Sequence, residues 1–405
     1  MELKKLDKVI YLYLFIPLGI VAGPLIPDLI ISLLAFYFII FYFDKIIFYI
    51  NKYNFLKILI IFCLLNIVTS FFSENIYTSL KNSITYLRFP ILIILSIYFF
   101  KNKTDFLKYF YLILFATILV VCLDALFQFF YGQNIFGFVS NSKNRISGLF
   151  HDEYILGSYL ARFTPILIAL FFFNNREHST LPLVLLSVLS FFTILISGER
   201  TALGIAVIFY LLFFIFILNA SYKKKISFSF ILIIILALTI LSSEKFKERY
   251  LKTTMYQIQA YLENKENSDI GIYNNQHLKH IKVSYEIFKE KPIFGHGNKM
   301  FGQICFERYF INDGRCSTHP HNFLAQILVE NGLVGILFYL SIFFNLIIYF
   351  YKSHSIKDES ISTILLIIIL SFFPLFPSGN FYNNLMSIFL YIPLSIFFVF
   401  HESKK

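Results

Sequence analysis

Residues 226–242 read ISFSFILIIILALTILS, a run without a charged side chain that is bounded by Lys223–Lys225 before it and Glu244 after it. At about 1.5 Å per residue, a helix of this length spans most of the roughly 30 Å hydrocarbon core of a bilayer. Similar runs recur along the whole chain, so one signal peptide or one anchor helix cannot explain them. The sequence therefore predicts an all-α protein that crosses a membrane many times.

The overall composition supports this interpretation. The 405 residues are 58% hydrophobic and 15% charged, and the mean hydropathy is +0.70, whereas soluble domains average about 45–50% apolar and about 25% charged residues. A net charge of +11 would indicate a nucleic-acid partner if it were gathered on one soluble domain, but it is dispersed among short loops between apolar runs. We therefore expect membrane lipids, and no nucleic acid, as the surroundings of this chain.

We predict about twelve transmembrane helices. They lie at residues 9–25, 28–43, 55–72, 83–100, 107–130, 153–173, 180–197, 201–218, 226–242, 321–350, 360–376 and 382–400. The chain then divides into nine transmembrane helices over 1–242, a large and partly helical loop over 243–320, and three further transmembrane helices over 321–405.

The basic loop residues predict the orientation. If the amino terminus is cytoplasmic, the loops on that side carry most of the cations, whereas the opposite short loops carry few. The first set is Lys45, Lys52, Lys57, Lys101, Lys103, Lys108, Arg176, Lys223–Lys225, Lys352, Lys357, Lys404 and Lys405, and the second is Lys81, Lys143, Arg145 and Arg200. The positive-inside rule then places both termini in the cytoplasm and the loop 243–320 outside, together with the loops 131–152, 197–201 and 374–383.

The four cysteines fall into two classes. Cys63 and Cys122 lie in apolar spans and are typical of small buried side chains. Cys305 and Cys316 lie in the outer loop, where an oxidising compartment permits a disulfide bond. The alternative is a pair of free thiols, and the sequence leaves both open.

Residues 316–322 read CSTHPHN and lead into a long apolar stretch. Pro320 suits the first position of a helix, because its missing N–H would be unpaired there, and this places His321 and Asn322 in the first turn. A helix amino terminus disfavours the imidazolium form, so it favours the neutral imidazole that a general base needs, and its amides can bind a diphosphate. Alternatively, His319 and His321 cap the helix or are hydrated at the membrane surface. Zinc is not favoured, since no third ligand lies at a suitable spacing.

Two glycines follow on the same predicted helix. At 100° per residue, Gly332 and Gly335 share the stripe of His321, whereas Glu330 points to the opposite side. Small residues allow helices to approach closely, so this stripe predicts close packing of another helix. Such packing would hold His321 in a fixed place.

Four arginines lie in or beside apolar runs, where a guanidinium is costly and usually marks a function or a charged partner. They are Arg88, Arg145, Arg162 and Arg200. A guanidinium offers a planar fork of donors that suits a diphosphate, and we favour Arg145 and Arg200 because both lie on the predicted outer side.

Each arginine also has a structural alternative. Arg200 would pair with Glu199 or extend to the membrane surface, and Arg145 would be a solvated loop charge. We expect Arg88 and Arg162 to pair with carboxylates of the spans such as Asp124, although Arg88 stays a candidate for binding substrate.

The histidine segment carries a resemblance to a known family. His321 and Asn322, followed after nine residues by Gly332 and after two more by Gly335, resemble the signature of the O-antigen ligases and the related Wzy-type polymerases. The segment PIFGHG at 292–297 resembles the stretch that precedes this signature in the family.

Two outer loops and the hydropathy profile extend the resemblance over essentially the whole chain. The turn SGERT at 197–201 resembles the arginine-bearing turn of the family, and RISGLF at 145–150 is similar to another of its outer loops. One position departs from the pattern, since many members carry an arginine in the outer loop where this chain reads NQHLKHIK at 275–282. His277, Lys279 or His280 could take its place, and residues 276–290 suit an amphipathic helix.

The resemblance implies a glycosyltransferase of the bacterial inner membrane, with a fold resembling the GT-C type and an active site on the periplasmic face. Its donor would be an undecaprenyl-diphosphate-linked glycan, with neither a metal nor another cofactor. Its acceptor would be the lipid A-core of lipopolysaccharide, with His321 and Arg200 catalytic and with Arg145, His319, Asn322 and Arg88 binding the diphosphate or the glycan.

Three alternatives to this ligase activity remain. A Wzy-type polymerase would share the donor chemistry, and nothing local in the sequence separates it from a ligase. Transfer to a protein acceptor is a smaller option. A transporter of about twelve spans would share the hydropathy, but transporters usually place polar sites near the membrane midplane within repeated halves. This chain instead gathers its unusual polar residues at one predicted face.

Overall fold

A computed structural model of the chain describes residues 7–101, 104–140, 145–174, 179–252, 255, 275–310 and 315–404. The basic residues Lys103, Lys143, Arg176 and Lys405 lie outside the described residues, as does most of the outer loop between 253 and 274. Within the described part, all regular secondary structure is helical, and the only extended pairings are two isolated β-bridges. The prediction of an all-α fold is confirmed for these residues.

We label the longer helices α1 to α16 in chain order. They are α1 (Ile16–Ala22), α2 (Leu25–Phe41), α3 (Phe43–Lys52), α4 (Asn54–Ser70), α5 (Ile76–Tyr86), α6 (Arg88–Phe100), α7 (Thr104–Tyr131), α8 (Leu156–Asn174), α9 (Leu181–Ile196), α10 (Arg200–Leu212), α11 (Tyr222–Ser242), α12 (Asn275–Glu290), α13 (Met300–Arg308), α14 (Phe323–Ser355), α15 (Glu359–Ser371) and α16 (Asn384–Ser403). A 3₁₀-helix (Asp7–Phe15) precedes α1, and π-helical turns at Phe213–Ile217 and Lys247–Lys252 follow α10 and α11.

Every predicted span contains a helix, but not every helix is long enough to cross a bilayer. Among the described residues, seven helices are long and apolar enough, or eight if α2 and α3, which meet at a bend of 97°, form one broken span. Four shorter apolar helices complete the set, at Lys8–Ala22, Asn54–Ser70, Leu181–Ile196 and Glu359–Ser371. The apolar run predicted at 360–376 ends early as a helix because Pro374 follows, and a proline disfavours helical geometry just before it.

The centre of the bundle consists of α6, α8, α15 and α16, which pack closely on one another. Almost all residues of these helices are buried, because they are apolar around their whole circumference and can be enclosed by other helices. In contrast, α11 lies at the periphery, with most of its side chains exposed. The fold therefore has a buried central core and one peripheral helix, α11.

A second, smaller core lies where the outer loop meets the bundle. Buried apolar side chains of α12, α13 and α14 pack together there, among them Val283, Ile287, Met300, Ile304 and Val329. The amphipathic helix predicted for residues 276–290 is present as α12. This core fixes the outer loop against α14, and so it determines where the polar side chains of the loop point.

Candidate functional site

His321 lies just before a helix and not inside its first turn. α14 begins at Phe323, and the side chain of Asn322 caps it by accepting a hydrogen bond from the Ala325 amide at 2.9 Å. His321 has a left-handed backbone with φ of 55°, and its carbonyl accepts a hydrogen bond from the Ser378 amide at 2.9 Å. The predicted start at Pro320 is therefore wrong by three residues, since an asparagine that can cap the helix outweighs the proline.

The segment 292–297 is docked into a break in α14. At Gly332 the helix has φ of 64° and ψ of −161°, and the chain of α14 there exchanges backbone hydrogen bonds with the docked segment. They run from Leu333 N to Pro292 O at 2.9 Å, from Val334 N to Ile293 O at 3.2 Å, from His296 N to Val329 O at 3.0 Å and from Gly297 N to Glu330 O at 2.8 Å. The motif at 292–297 and the glycine signature thus form one structural unit.

This docking explains why the motif requires glycines. A Cβ atom on Gly332 would lie 2.3 Å from the Ile293 carbonyl oxygen, and one on Gly295 would lie 2.5 Å from the Glu330 carbonyl carbon. Neither contact can be relieved by turning a side chain, because both neighbours are backbone. At Gly332 the close neighbour is a loop and not the helix that the sequence predicted. The closest neighbour of Gly335 is the Asn331 side chain of its own helix.

Four histidine side chains form a cluster where α12 meets the segment before α14. α12 provides His277 and His280, and the segment before α14 provides His319 and His321. The ring centre of His321 lies 4.1 Å from that of His319, and 5.4 Å from each of His277 and His280. Nδ1 of His280 lies 2.9 Å from the Arg315 carbonyl oxygen, so this nitrogen carries the proton and donates it.

Burial keeps the key imidazoles of this cluster neutral. Desolvation lowers the pKa of His321 to about 3, with smaller contributions from its neighbours His319, His277 and His280. The pKa of His319 is lowered to about 4, again mainly by burial, and Nε2 of His319 is buried without a hydrogen-bond partner among the described residues. The neutral state expected for His321 thus arises from burial and crowding, whereas the sequence suggested the helix amino terminus as its cause.

A second cluster contains three arginines. The Arg145 guanidinium lies 4.3 Å from the centre of the Tyr154 ring and donates to the Tyr154 carbonyl at 3.2 Å. Arg200 is the first residue of α10, and Arg249 in the π-helical turn after α11 donates through Nε to the Gly198 carbonyl at 3.0 Å. Arg249 interacts electrostatically with both Arg145 and Arg200. Arg249 therefore lies close enough to each of the other two guanidinium groups to repel it.

The two clusters adjoin each other. Burial lowers the pKa of His277, and the neighbouring His280 and the charge of Arg200 lower it further. The Arg145 Nε is buried and has no hydrogen-bond partner among the described residues. The site thus combines neutral imidazoles with guanidinium groups, an arrangement suited to binding an anion beside a base.

Residues 185–340 match a family model described as O-antigen ligase. This part of the chain is therefore similar to the O-antigen ligases. The matched region runs from α9 into α14, and it contains Arg200, Arg249 and the four histidines but not Arg145. The resemblance that the sequence suggested is confirmed over this region. No curated protein matches the chain.

Glu199 lies in the matched region and caps a helix, whereas the sequence offered pairing with Arg200 as an alternative. Its carboxylate accepts hydrogen bonds from the Gly157 amide at 2.6 Å and from the amide and hydroxyl of Ser158 at 3.1 Å and 2.8 Å. It therefore caps the amino terminus of α8, which places the turn that carries Arg200 against that helix.

The other two arginines lie outside the clusters. Arg88 forms an ion pair with Asp28 and donates to Ser32 at 2.7 Å and to Asn384 at 2.7 Å. Arg162 is buried, donates to the Ser158 carbonyl at 3.1 Å and lies 4.9 Å from the Phe389 ring centre. The predicted pairing of Arg88 with a carboxylate of a span is confirmed, with Asp28 of α2 as the partner and not Asp124. The carboxylate that interacts with Arg162 is Glu199.

A disulfide bond joins Cys305 of α13 to Cys316, so of the two alternatives that the sequence leaves open the structure contains the bridge. The bridge lies at the edge of the small outer core, five residues before His321. It fixes the start of the segment that carries His319 and His321. Cys63 and Cys122 are both buried as free cysteines.

Sequence reasoning missed one residue of the site and left two undecided. Arg249 was not among the candidates, and its only signal is a basic run, KFKER, directly after an apolar span. His277 and His280 were possible replacements for the arginine of the family's loop, and the structure brings both to His321.

Among the described residues, a group of ligand atoms within 4.8 Å of one another is formed by Glu74, Glu290 and His296. It does not include the four clustered histidines. Arg308 already pairs with both carboxylates, at 2.7 Å and 2.5 Å. We therefore interpret this group as a structural ion-pair network of the outer loop.

Proposed function

We propose that this protein is an O-antigen ligase that transfers a glycan from undecaprenyl diphosphate to the lipid A-core at the periplasmic face of the inner membrane. The observation that carries the proposal is the contact between the two clusters. The neutral imidazole of His321 contacts the His277 ring, and His277 interacts electrostatically with Arg200. A base and an anion-binding group are the two requirements for displacement at an anomeric carbon.

In the proposed reaction, the donor diphosphate lies among Arg145, Arg200 and Arg249. His321 removes the proton from an acceptor hydroxyl, and the hydroxyl oxygen forms a bond to the anomeric carbon. The bond from that carbon to the diphosphate oxygen breaks, and its electron pair leaves with undecaprenyl diphosphate. The arginines stabilise the charge that develops on this leaving group. A single displacement of this kind inverts the anomeric configuration.

His319 and Asn322 have supporting roles in this proposal. Asn322 fixes the start of α14 through its cap, and His319 packs on the His321 ring. The domain match supports a ligase or a Wzy-type polymerase, which share this chemistry and differ in the acceptor. We place about twelve spans in the membrane, as in GT-C-type enzymes, with both termini in the cytoplasm.

Purified protein, reconstituted with lipid-linked glycan and lipid A-core, tests the proposal. We expect His321→Ala and Arg200→Ala each to abolish the formation of the new glycosidic bond. His354→Ala, which alters an exposed histidine at the other end of α14, should retain activity. Full activity in both site variants would overturn the proposed roles. Movement of the glycan across the membrane without bond formation would indicate a transporter.

A further inference from the structure

A deep apolar groove separates α11 from the rest of the bundle. It has a volume of about 430 Å³ and is lined by side chains of α8, α9, α10 and α11, including Phe171, Val184, Tyr210 and Ile231. The π-helical turn Phe213–Ile217 forms one end of its wall. Its lining is almost wholly hydrocarbon, which fits a lipid chain and not a polar ligand.

The groove is about one leaflet deep. Along α9 its lining extends from Thr180, where the helix begins, to Phe191. At about 1.5 Å per residue this is roughly 16 Å, close to half of the roughly 30 Å hydrocarbon core. A single acyl chain of the leaflet at this end of α9 therefore matches the groove in length.

A cluster of cations lies at the same end. α11 starts with Lys223 and Lys224, which are both exposed, and Lys225, which donates to the Ile215 carbonyl at 3.1 Å. The third lysine thus satisfies a carbonyl of the π-helical turn, whereas the first two face outward beside the groove. Exposed lysines at a membrane surface attract anionic lipid headgroups.

α11 is attached to the rest of the bundle near its two ends. At its lysine end, α11 packs against Phe213–Ile217. Beyond its other end, the Tyr250 hydroxyl donates to the Leu195 carbonyl at 2.6 Å, and Arg249 donates to Gly198. The middle of the helix is mostly exposed. A chain in the groove would therefore fill the space between two points of attachment.

We propose that an anionic phospholipid binds in this groove, with one acyl chain between α11 and the bundle and its headgroup on Lys223 and Lys224. The lipid completes the packing of α11 and so steadies the turn that carries Arg249. The consequence for Arg249 rests on the proposed glycan transfer, but binding of the lipid does not.

The test measures retained lipid by native mass spectrometry of the full-length protein in detergent. The protein is delipidated and then incubated with phosphatidylglycerol or with phosphatidylethanolamine of the same acyl chains. We expect stronger retention of phosphatidylglycerol, and at roughly fivefold per lysine a loss of about 25-fold in the Lys223→Gln/Lys224→Gln variant. The control Lys108→Gln/Lys352→Gln alters two exposed lysines elsewhere and should bind as the unchanged protein does.

A second variant tests the groove itself. Val184→Trp places a large side chain in the groove and should reduce retention of both lipids, whereas Val68→Trp alters an equally exposed valine on α4 and should not. Equal retention of both phospholipids, or unchanged binding in the lysine variant, would overturn the proposal. So would retention of undecaprenyl phosphate in preference to phosphatidylglycerol when both are supplied. Because the readout is bound lipid, failure of glycan transfer alone would refute only the proposed function.

Discussion

Replacing Gly332 by alanine should disrupt the break in α14 that holds the segment 292–297. The backbone at this position has φ of 64° and ψ of −161°, a region that only glycine adopts without strain. The new Cβ would also lie 2.3 Å from the Ile293 carbonyl oxygen. The chain must therefore either move the docked segment away or change the path of the helix.

The expected loss of stability follows from these two effects. The strained backbone costs about 1–3 kcal/mol. Displacing the docked segment breaks up to four backbone hydrogen bonds at about 1 kcal/mol each. A loss of roughly 3–6 kcal/mol is therefore expected, and at roughly 2 °C per kcal/mol the unfolding midpoint should fall by about 6–12 °C. Because α14 begins two residues after His321, glycan transfer should be lost as well.

The assay uses a thiol-reactive fluorescent dye during heating. Cys63 and Cys122 are fully buried, so the dye reacts with them only as the bundle opens. Gly204→Ala is the control, because this glycine lies within α10 and a Cβ there meets nothing within 4 Å. It should be neutral or more stable by about 0.5–1 kcal/mol. If Gly332→Ala has the unfolding midpoint and the activity of Gly204→Ala, the structural reasoning about the break is wrong.

Three further predictions concern the site. If His321 acts as the base, kcat/KM should stay constant as the pH is lowered, until the pH approaches the lowered His321 pKa of about 3. Initial rates that fall around pH 6.5, the ordinary pKa of histidine, would contradict this. Arg249→Ala should raise the KM for the donor by roughly 10- to 100-fold, which is the effect of losing one charge-assisted hydrogen bond. Lys247→Ala, in the same turn, is the control and should leave this KM unchanged. If both variants raise the KM equally, Arg249 does not belong to the site. Dithiothreitol should lower the unfolding midpoint by reducing the Cys305–Cys316 disulfide, because closing this loop contributes on the order of 3 kcal/mol to stability. If dithiothreitol lowers the midpoint equally in the variant with serine at both positions, the disulfide is not the cause of the shift.

Much of the fold could be predicted because membrane helices are encoded by long apolar runs. Each predicted span contains a helix, and the amphipathic pattern at 276–290 corresponds to α12. The breaks were harder to predict. A continuous apolar run does not reveal that α14 changes direction at Gly332, because the partner that occupies the break is a loop some forty residues earlier.

The site was predictable only where a local motif marks it. His321 and Arg200 lie in motifs that resemble those of the family, and Arg145 lies in a loop that is similar to one of the family's outer loops. Arg249 and His277 have no such local signal, since they reach the site through the packing of α12 and the turn after α11. The sequence predicted that Arg88 pairs with a carboxylate of a span but did not identify Asp28 or, for Arg162, Glu199, because pairing across a bundle depends on which helices are neighbours.

The electrostatics of the site indicate what must complete it. Burial lowers the pKa of Arg145, and although the Glu199 carboxylate opposes this shift, the charge of Arg249 adds to it. Arg200 in turn disfavours protonation of His277. Within the described part of the chain, Arg145, Arg200 and Arg249 bring three positive charges into a half-buried space, and the Glu199 carboxylate that interacts with Arg145 already caps α8. An anion placed among them relieves this repulsion, and a diphosphate supplies two or more negative charges over a few ångströms. In the proposed reaction the donor diphosphate therefore provides a counter-charge for these guanidinium groups.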